Sequence, residues 1–239
     1  MNRRSKWTPS TARSSAGPLN HSRLAALERA RAQVDAFLAA EAEAETEFRP
    51  RPDLLEVAFG PFDDDTEGGP EHGPLKLGDV ALRGRIDRID VDPAGRAVVR
   101  DYKTGKNVAP AAKFAEEGKL QIQLYMRAAE RILGLDAVAG LYHPLGAVKG
   151  HDRKPRGLVA REDEDLRQLG IVGSDRLAED EFRRALDEAE DRAGIAAAEM
   201  REGLIRRNPI GNRCPKYCTF QAICRLERAT GGDENGNGD

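Results

Sequence analysis

Across 239 residues there are only three cysteines, four histidines and 5% aromatic residues. Cys214, Cys218 and Cys224 are an odd number within eleven positions, a poor disulfide framework. No apolar run approaches the roughly 20 residues of a membrane helix, which excludes a helical membrane span. The opening segment MNRRSKWTPS is basic but lacks an apolar core, so no secretory signal is expected and a reduced cytoplasmic setting is the default. No GxxxxGK[ST] loop is present, so ATP use would belong to a partner. A net charge of -3 excludes a globally basic nucleic-acid binder, but leaves room for a local basic face.

Charged residues make up 33% of the chain and the hydrophobic class 39%, which suits one polar globular domain with flanking arms. Residues 1–20, rich in Ser, Arg, Pro and Gly, read as a flexible arm, and residues 229–239 as a disordered tail. Leu24, Leu27, Ala30, Val34 and Leu38 repeat at helical spacing and predict a helix from His21 to about Glu47, stopped by Pro50 and Pro52. Leu54 to Gly60 reads as a strand with Leu55, Val57 and Phe59 on one face. An acidic Gly/Pro loop follows, Pro61 to Pro74.

Strands are expected over Val80–Val91 and Ala97–Lys103, joined by a three-residue loop, Pro93 to Gly95. Beyond them come an amphipathic helix (Leu120–Leu133), a strand (Val138–His143) and a basic loop through Arg156. A long helix from Ser174 to about Glu202 and a Cys-rich segment over 204–228 complete the chain.

The hairpin carries the chemistry. If Asp92 faces Arg96 across the loop, stepping back along both strands puts Asp87 opposite Asp101. Lys103, two residues beyond Asp101, shares its face. Two carboxylates at that spacing repel. A hard divalent cation between them removes the penalty, and it can polarise a phosphoryl oxygen and acidify a bound water. The Lys103 ammonium could orient or deprotonate that water, or steady charge forming on phosphorus. The plain alternative is a charged hairpin on a solvated face.

Gly84-x-Ile86-Asp87-Arg88-Ile89-Asp90, followed by Asp101-Tyr102-Lys103-Thr104-Gly105 and then Gln121-x-x-x-Tyr125, resembles the core of the PD-(D/E)XK nuclease superfamily. More narrowly it resembles the RecB/AddB-like branch at the C-termini of helicase-nucleases, and the likeness runs from about Leu54 to Arg228, within a nuclease domain spanning 21–228. The resemblance implies an α/β, restriction-endonuclease-like fold, with a mixed central sheet flanked by helices. It implies Asp87 and Asp101 as ligands of Mg²⁺ or Mn²⁺, joined by the backbone carbonyl of Tyr102, and Lys103 as the catalytic lysine. Gln121 and Tyr125 would contact DNA or align the site, with simple packing the alternative for Tyr125. Arg88 could bind a phosphate or pair with a carboxylate, and Lys106 could join a DNA-facing rim with Arg206, Arg207, Arg213, Lys216, Arg225 and Arg228. Asp90 falls outside the convergent patch and reads as a supporting residue. Glu56 could help the metal site or pair an Arg.

The Cys spacing, C-x₃-C-x₅-C, could hold a soft metal or cluster, or be plain reduced thiols. In the resembling branch three such Cys and one upstream Cys hold a structural [4Fe–4S] cluster. Here no fourth Cys exists, and His21 only faintly fits the family's upstream metal-binding His. The pattern implies a truncated or separately encoded nuclease domain whose first Cys and His are lost or supplied by a partner chain. The expected function is a metal-dependent deoxyribonuclease, an exonuclease processing double-strand breaks on single-stranded or unwound DNA ends beside an ATP-dependent helicase subunit. Two other readings stay open: a weak or inactive remnant that binds DNA or docks to a helicase, and a zinc-binding module built on the Cys trio.

Overall fold

The computed structural model describes residues 21–61, 72–105, 108–146, 154–160 and 165–204. His21 lies in a helix but its side chain falls outside the described set, as do Lys106, Cys214, Cys218, Cys224 and the basic rim from Arg206 to Arg228. The chain divides into two units, Met1–Ala42 and Glu43–Asp239. The first contains helix α1 (His21–Glu43), whose stripe residues Leu24, Leu27, Val34 and Leu38 are exposed. It ends four residues earlier than the periodicity predicts.

The second unit is built on a six-stranded mixed sheet. Its strands, in order across the sheet, are β1 (Arg49–Phe59), β4 (Gly84–Val91), β5 (Arg96–Lys103), β6 (Asp136–Pro144), β7 (Arg156–Ala160) and β8 (Arg176–Leu177). A separate antiparallel pair, β2 (Leu75–Leu77) and β3 (Val80–Leu82), carries Leu75, Leu77 and Val80 into the core. Helix α2 (Gln121–Leu133) makes the crossover between the parallel neighbours β5 and β6, and helix α3 (Glu179–Arg201) packs against α2. This is the mixed sheet flanked by helices that the motifs imply.

Alternation along β5 divides the core. Ala97 and Val99 join Ile122, Met126, Phe182 and Leu186 on the α2 and α3 side. Val98 joins Phe48, Leu141, Val159 and Leu166 on the other. Burial on both faces suits the apolar runs Ala97–Val99 of β5 and Ala137–Tyr142 of β6. An ionic lattice fastens α2 to α3: Arg127 Nε to Glu190 at 2.7 Å, Arg131 to Glu190 at 2.7 Å, and Arg183 to Glu130 at 2.6 Å.

Several boundaries differ from expectation. Pro50 and Pro52 lie inside β1, which is tolerated because β1 is the sheet edge. Glu56 takes φ +53°, and the register of β1 on β4 shifts between Pro50 and Leu55. This bulge breaks the alternation, so Leu54, Val57 and Phe59 turn inward while Leu55 is 46% exposed. The single strand expected over Val80–Val91 is two strands in two sheets, divided at Arg83. Strands β2, β7 and β8 were not foreseen. Helix α3 begins at Glu179, because Gly173–Asp175 forms a 3-10 turn and β8 intervenes before it.

Candidate active site

The β4–β5 hairpin forms in the expected register. Arg88 faces Arg100 and Val91 faces Ala97. Asp92 fixes the loop: its Oδ1 accepts the amides of Ala94 (2.9 Å) and Arg96 (2.8 Å). Gly95 closes the turn at φ +84°, where a Cβ would be strained. Extending the register by one step sets Asp87 opposite Asp101. The ladder ends at that point, and the Tyr102 N–H donates to Asp87 Oδ2 at 2.8 Å. Asp87 thus satisfies a backbone donor beside Asp101.

Asp101 is 3% exposed. Lys103 Nζ lies 2.6 Å from its Oδ2. The contact is a close ion pair, and within the described residues the buried Oδ2 meets no other polar partner. Burial raises the Asp101 carboxyl above its ordinary range; the Lys103 ammonium opposes the rise and the charge of Asp87 adds to it. Lys103 Nζ also donates to Gln121 Oε1 at 2.8 Å, and Gln121 Nε2 donates to Tyr125 Oη at 3.1 Å. Helical spacing aligns these two side chains on successive turns at the N-terminus of α2.

Tyr125 is held in turn. Its ring meets Phe59 edge-on at 6.2 Å. A Cβ on Gly84 would lie 2.7 Å from Phe59 Cζ and 3.1 Å from Tyr125 Cε1, so the glycine opening the Gly-x-Ile-Asp motif leaves room for both rings.

Tyr142 was missed from sequence. It pairs with Asp101 across the parallel β5–β6 ladder. Its ring underlies Lys103 Nζ at 5.0 Å, and its hydroxyl accepts the Ile122 N–H at 3.2 Å. Burial raises the Tyr142 hydroxyl far above its usual value, so it stays protonated. The strand over Val138–His143 was foreseen, and a right-handed β5–α2–β6 crossover would have set Tyr142 beside Asp101.

Arg88 does not reach a DNA-facing surface. It is 9% exposed and grips Asp90 with two hydrogen bonds, at 2.5 and 2.9 Å. Arg100 Nε lies 2.6 Å from the same carboxylate, and Asp90 is fully buried. Arg100 Nη1 meets His143 Nε2 at 3.1 Å, which makes that nitrogen the acceptor of a neutral ring. Burial, then Arg100 and Arg88, hold His143 well below its normal value. Asp90 is therefore an internal counter-charge, as its place outside the patch suggested.

Glu56 falls opposite Asp87, between the pairs Leu55–Arg88 and Val57–Ile86, with an exposed side chain. Among the described residues no group of three His, Cys, Asp or Glu side chains is arranged to hold a metal ion. The site therefore offers two carboxylates, Asp87 and Asp101.

A mixed sheet that opens at paired carboxylates, with a lysine two residues along the second strand, defines a nuclease-type α/β fold. The family model of the PD-(D/E)XK nuclease superfamily matches residues 4–225, and the chain belongs to that superfamily. Among curated proteins it is similar to the B subunit of the ATP-dependent helicase/deoxyribonuclease of Lactococcus lactis subsp. cremoris (strain SK11), 22% identical over 189 residues. The same protein of L. lactis subsp. lactis (strain IL1403) is 24% identical over 190 residues. Each match covers 66% of this chain but 17% of the relative, so the chain spans about one sixth of the length of these relatives. The chain is a nuclease by family, with helicase-associated relatives. No helix among the described residues is long and apolar enough to cross a membrane.

Proposed function

We propose that the chain hydrolyses phosphodiester bonds of DNA with Mg²⁺ or Mn²⁺ held by Asp87, Asp101 and the backbone carbonyl of Tyr102. The observation that carries this reading is the Asp87–Asp101–Lys103 convergence, in which a buried Asp101 carboxylate lies opposite Asp87 with the Lys103 ammonium 2.6 Å away. Two hard oxygen donors suit Mg²⁺, which binds through one or two carboxylates and keeps several waters. When bound, the cation supplies Lewis-acid polarisation of the phosphoryl group and a more acidic water.

The chain's own residues do the rest. Asp87 and Asp101 present negative charge where a cation can neutralise it. Lys103 Nζ, set between Asp101 and Gln121, stabilises charge on the reacting phosphate or holds the attacking water. Gln121, braced by Tyr125, keeps the ammonium aimed at that point. Tyr142 stays neutral beneath it and caps the first turn of α2.

The setting that fits is exonucleolytic trimming of single-stranded or unwound ends during double-strand-break processing in the cytoplasm. A helicase partner would supply ATP-driven unwinding, a reading supported by the names of the relatives. Manganese binding, read by electron paramagnetic resonance, tests the site. Asp101→Asn should lose both bound Mn²⁺ and cleavage, whereas full Mn²⁺ binding in Asp101→Asn would contradict it.

A further inference from the structure

A cavity of about 770 Å³ opens directly on the site, with Lys103, Gln121 and Tyr142 in its lining. Its size falls within the roughly 300–1,000 Å³ of clefts that enclose a drug-sized molecule. Nucleotides peeled from a duplex fit that scale; an intact double helix does not. Val108 and Pro110 give it apolar wall, a surface for sugar and base. Lys113 and Lys119 add two positive charges, against one acidic lining residue, Glu117.

Both lysines are exposed, and neither forms an ion pair with a described residue. This contrasts with Arg88, Arg127, Arg131, Arg156 and Arg183, which are all committed to carboxylates. The segment bearing the lysines is anchored. Phe114, 3% exposed, meets the Tyr142 ring edge-on at 5.6 Å, and Tyr142 lies under Lys103. Arg192 Nη2 holds the Ala115 carbonyl at 2.7 Å, and Gln123 Nε2 holds that of Lys119 at 3.0 Å. The wall is therefore fixed relative to the site, as a surface that positions a substrate must be.

We infer that this cavity is the track for single-stranded DNA flanking the scissile phosphate, with Lys113 and Lys119 on successive backbone phosphates. The inference rests on the nuclease reading and adds the residues that position the strand. Thr104, next to Lys103 in sequence, is also in the lining.

The test is fluorescence anisotropy of a labelled single-stranded oligonucleotide with the full chain, in EDTA so that no cleavage occurs, across a NaCl series. Removing one lysine–phosphate interaction lowers the slope of log K against log salt by about 0.7 on single strands. At about 0.1 M salt that is about 5-fold in affinity per phosphate, so Lys113→Ala/Lys119→Ala should bind about 25-fold more weakly, with a slope reduced by about 1.4. Glu117→Gln should bind more tightly. Lys76→Ala, an exposed lysine on β2 outside the cavity, should leave both quantities unchanged. A blunt duplex should compete poorly with the single strand.

Unchanged affinity and slope in the double variant, with a parent that binds and cleaves, would overturn the track while leaving the nuclease reading intact. Equal competition by the blunt duplex would overturn it too. A parent that neither binds nor cleaves DNA would remove the nuclease reading and the track together.

Discussion

The Ile86-Asp87-Arg88-Ile89-Asp90 motif contains two aspartates, and the structure gives them opposite work. Asp90 is 0% exposed and is clamped by Arg88 at 2.5 and 2.9 Å and by Arg100 at 2.6 Å. The guanidinium side chains are themselves 11% and 5% exposed. Asp90→Ala removes the counter-charge that both share, beside a His143 that stays neutral. Removing one partner of a buried ion pair costs about 3–5 kcal/mol. For a domain of roughly 150–250 residues each kcal/mol lowers the melting temperature by about 2–4 °C, giving a fall of about 6–20 °C. Asp87→Ala, whose side chain is half-buried and makes one backbone contact, should lose cleavage with a much smaller thermal effect. Circular-dichroism melts and cleavage of both variants decide the matter. A partial rescue of Asp90→Ala by Arg88→Met would confirm that the loss is electrostatic. An Asp90→Ala that melts within about 2 °C of the parent, less than one kcal/mol on the same scale, yet cuts no DNA would refute the reasoning and move Asp90 into the metal site.

Other consequences follow from the same geometry. Gly84→Ala forces a methyl against the buried Phe59 and the Tyr125 ring, which should cost about 1–3 kcal/mol of stability in denaturant melts and lower cleavage as Tyr125 shifts. Gln121→Ala frees Lys103 from its 2.8 Å acceptor at an exposed position, so kcat should drop while the melting temperature stays put. The Asp101 carboxyl is raised, so protons compete with the cation above the ordinary carboxylate value of 3.8; Mn²⁺ affinity should weaken on acidification earlier than for an ordinary aspartate. His143 is held neutral in the folded chain but titrates near 6.5 when unfolded, so its contribution to stability is lost as pH falls below 6.5, by up to about 1.4 kcal/mol per pH unit, and His143→Gln should flatten that slope in pH-dependent melts.

Much of this site was legible because hairpin pairing is local. The loop Asp92–Gly95 sets the register, and the register alone brings Asp87 to Asp101. Lys103 follows from the two-residue period, and Gln121 and Tyr125 from helical spacing. Contacts between distant segments were not legible. The Asp90 clamp needs Arg100 and, behind it, His143 on β6; nothing in the spacing of Arg88 says it turns inward. Tyr142 reaches Lys103 only through the β5–α2–β6 crossover. The register shift before Leu55 and the left-handed φ of Glu56 are backbone choices that alternation cannot express, and Leu55 is exposed where alternation expected it inward. Strands β7 and β8 are short and gain their stability from neighbours rather than from their own pattern.

The central claim is that Asp87, Asp101 and Lys103 form one hydrolytic, metal-dependent site. The most direct test is cleavage of end-labelled linear DNA, single- and double-stranded, with Mg²⁺ or Mn²⁺ and with EDTA, the parent beside Lys103→Ala. Cleavage that requires the cation and falls about 10²–10³-fold in Lys103→Ala is the predicted result. Cleavage that persists in EDTA, or that is equal in parent and Lys103→Ala, would contradict it.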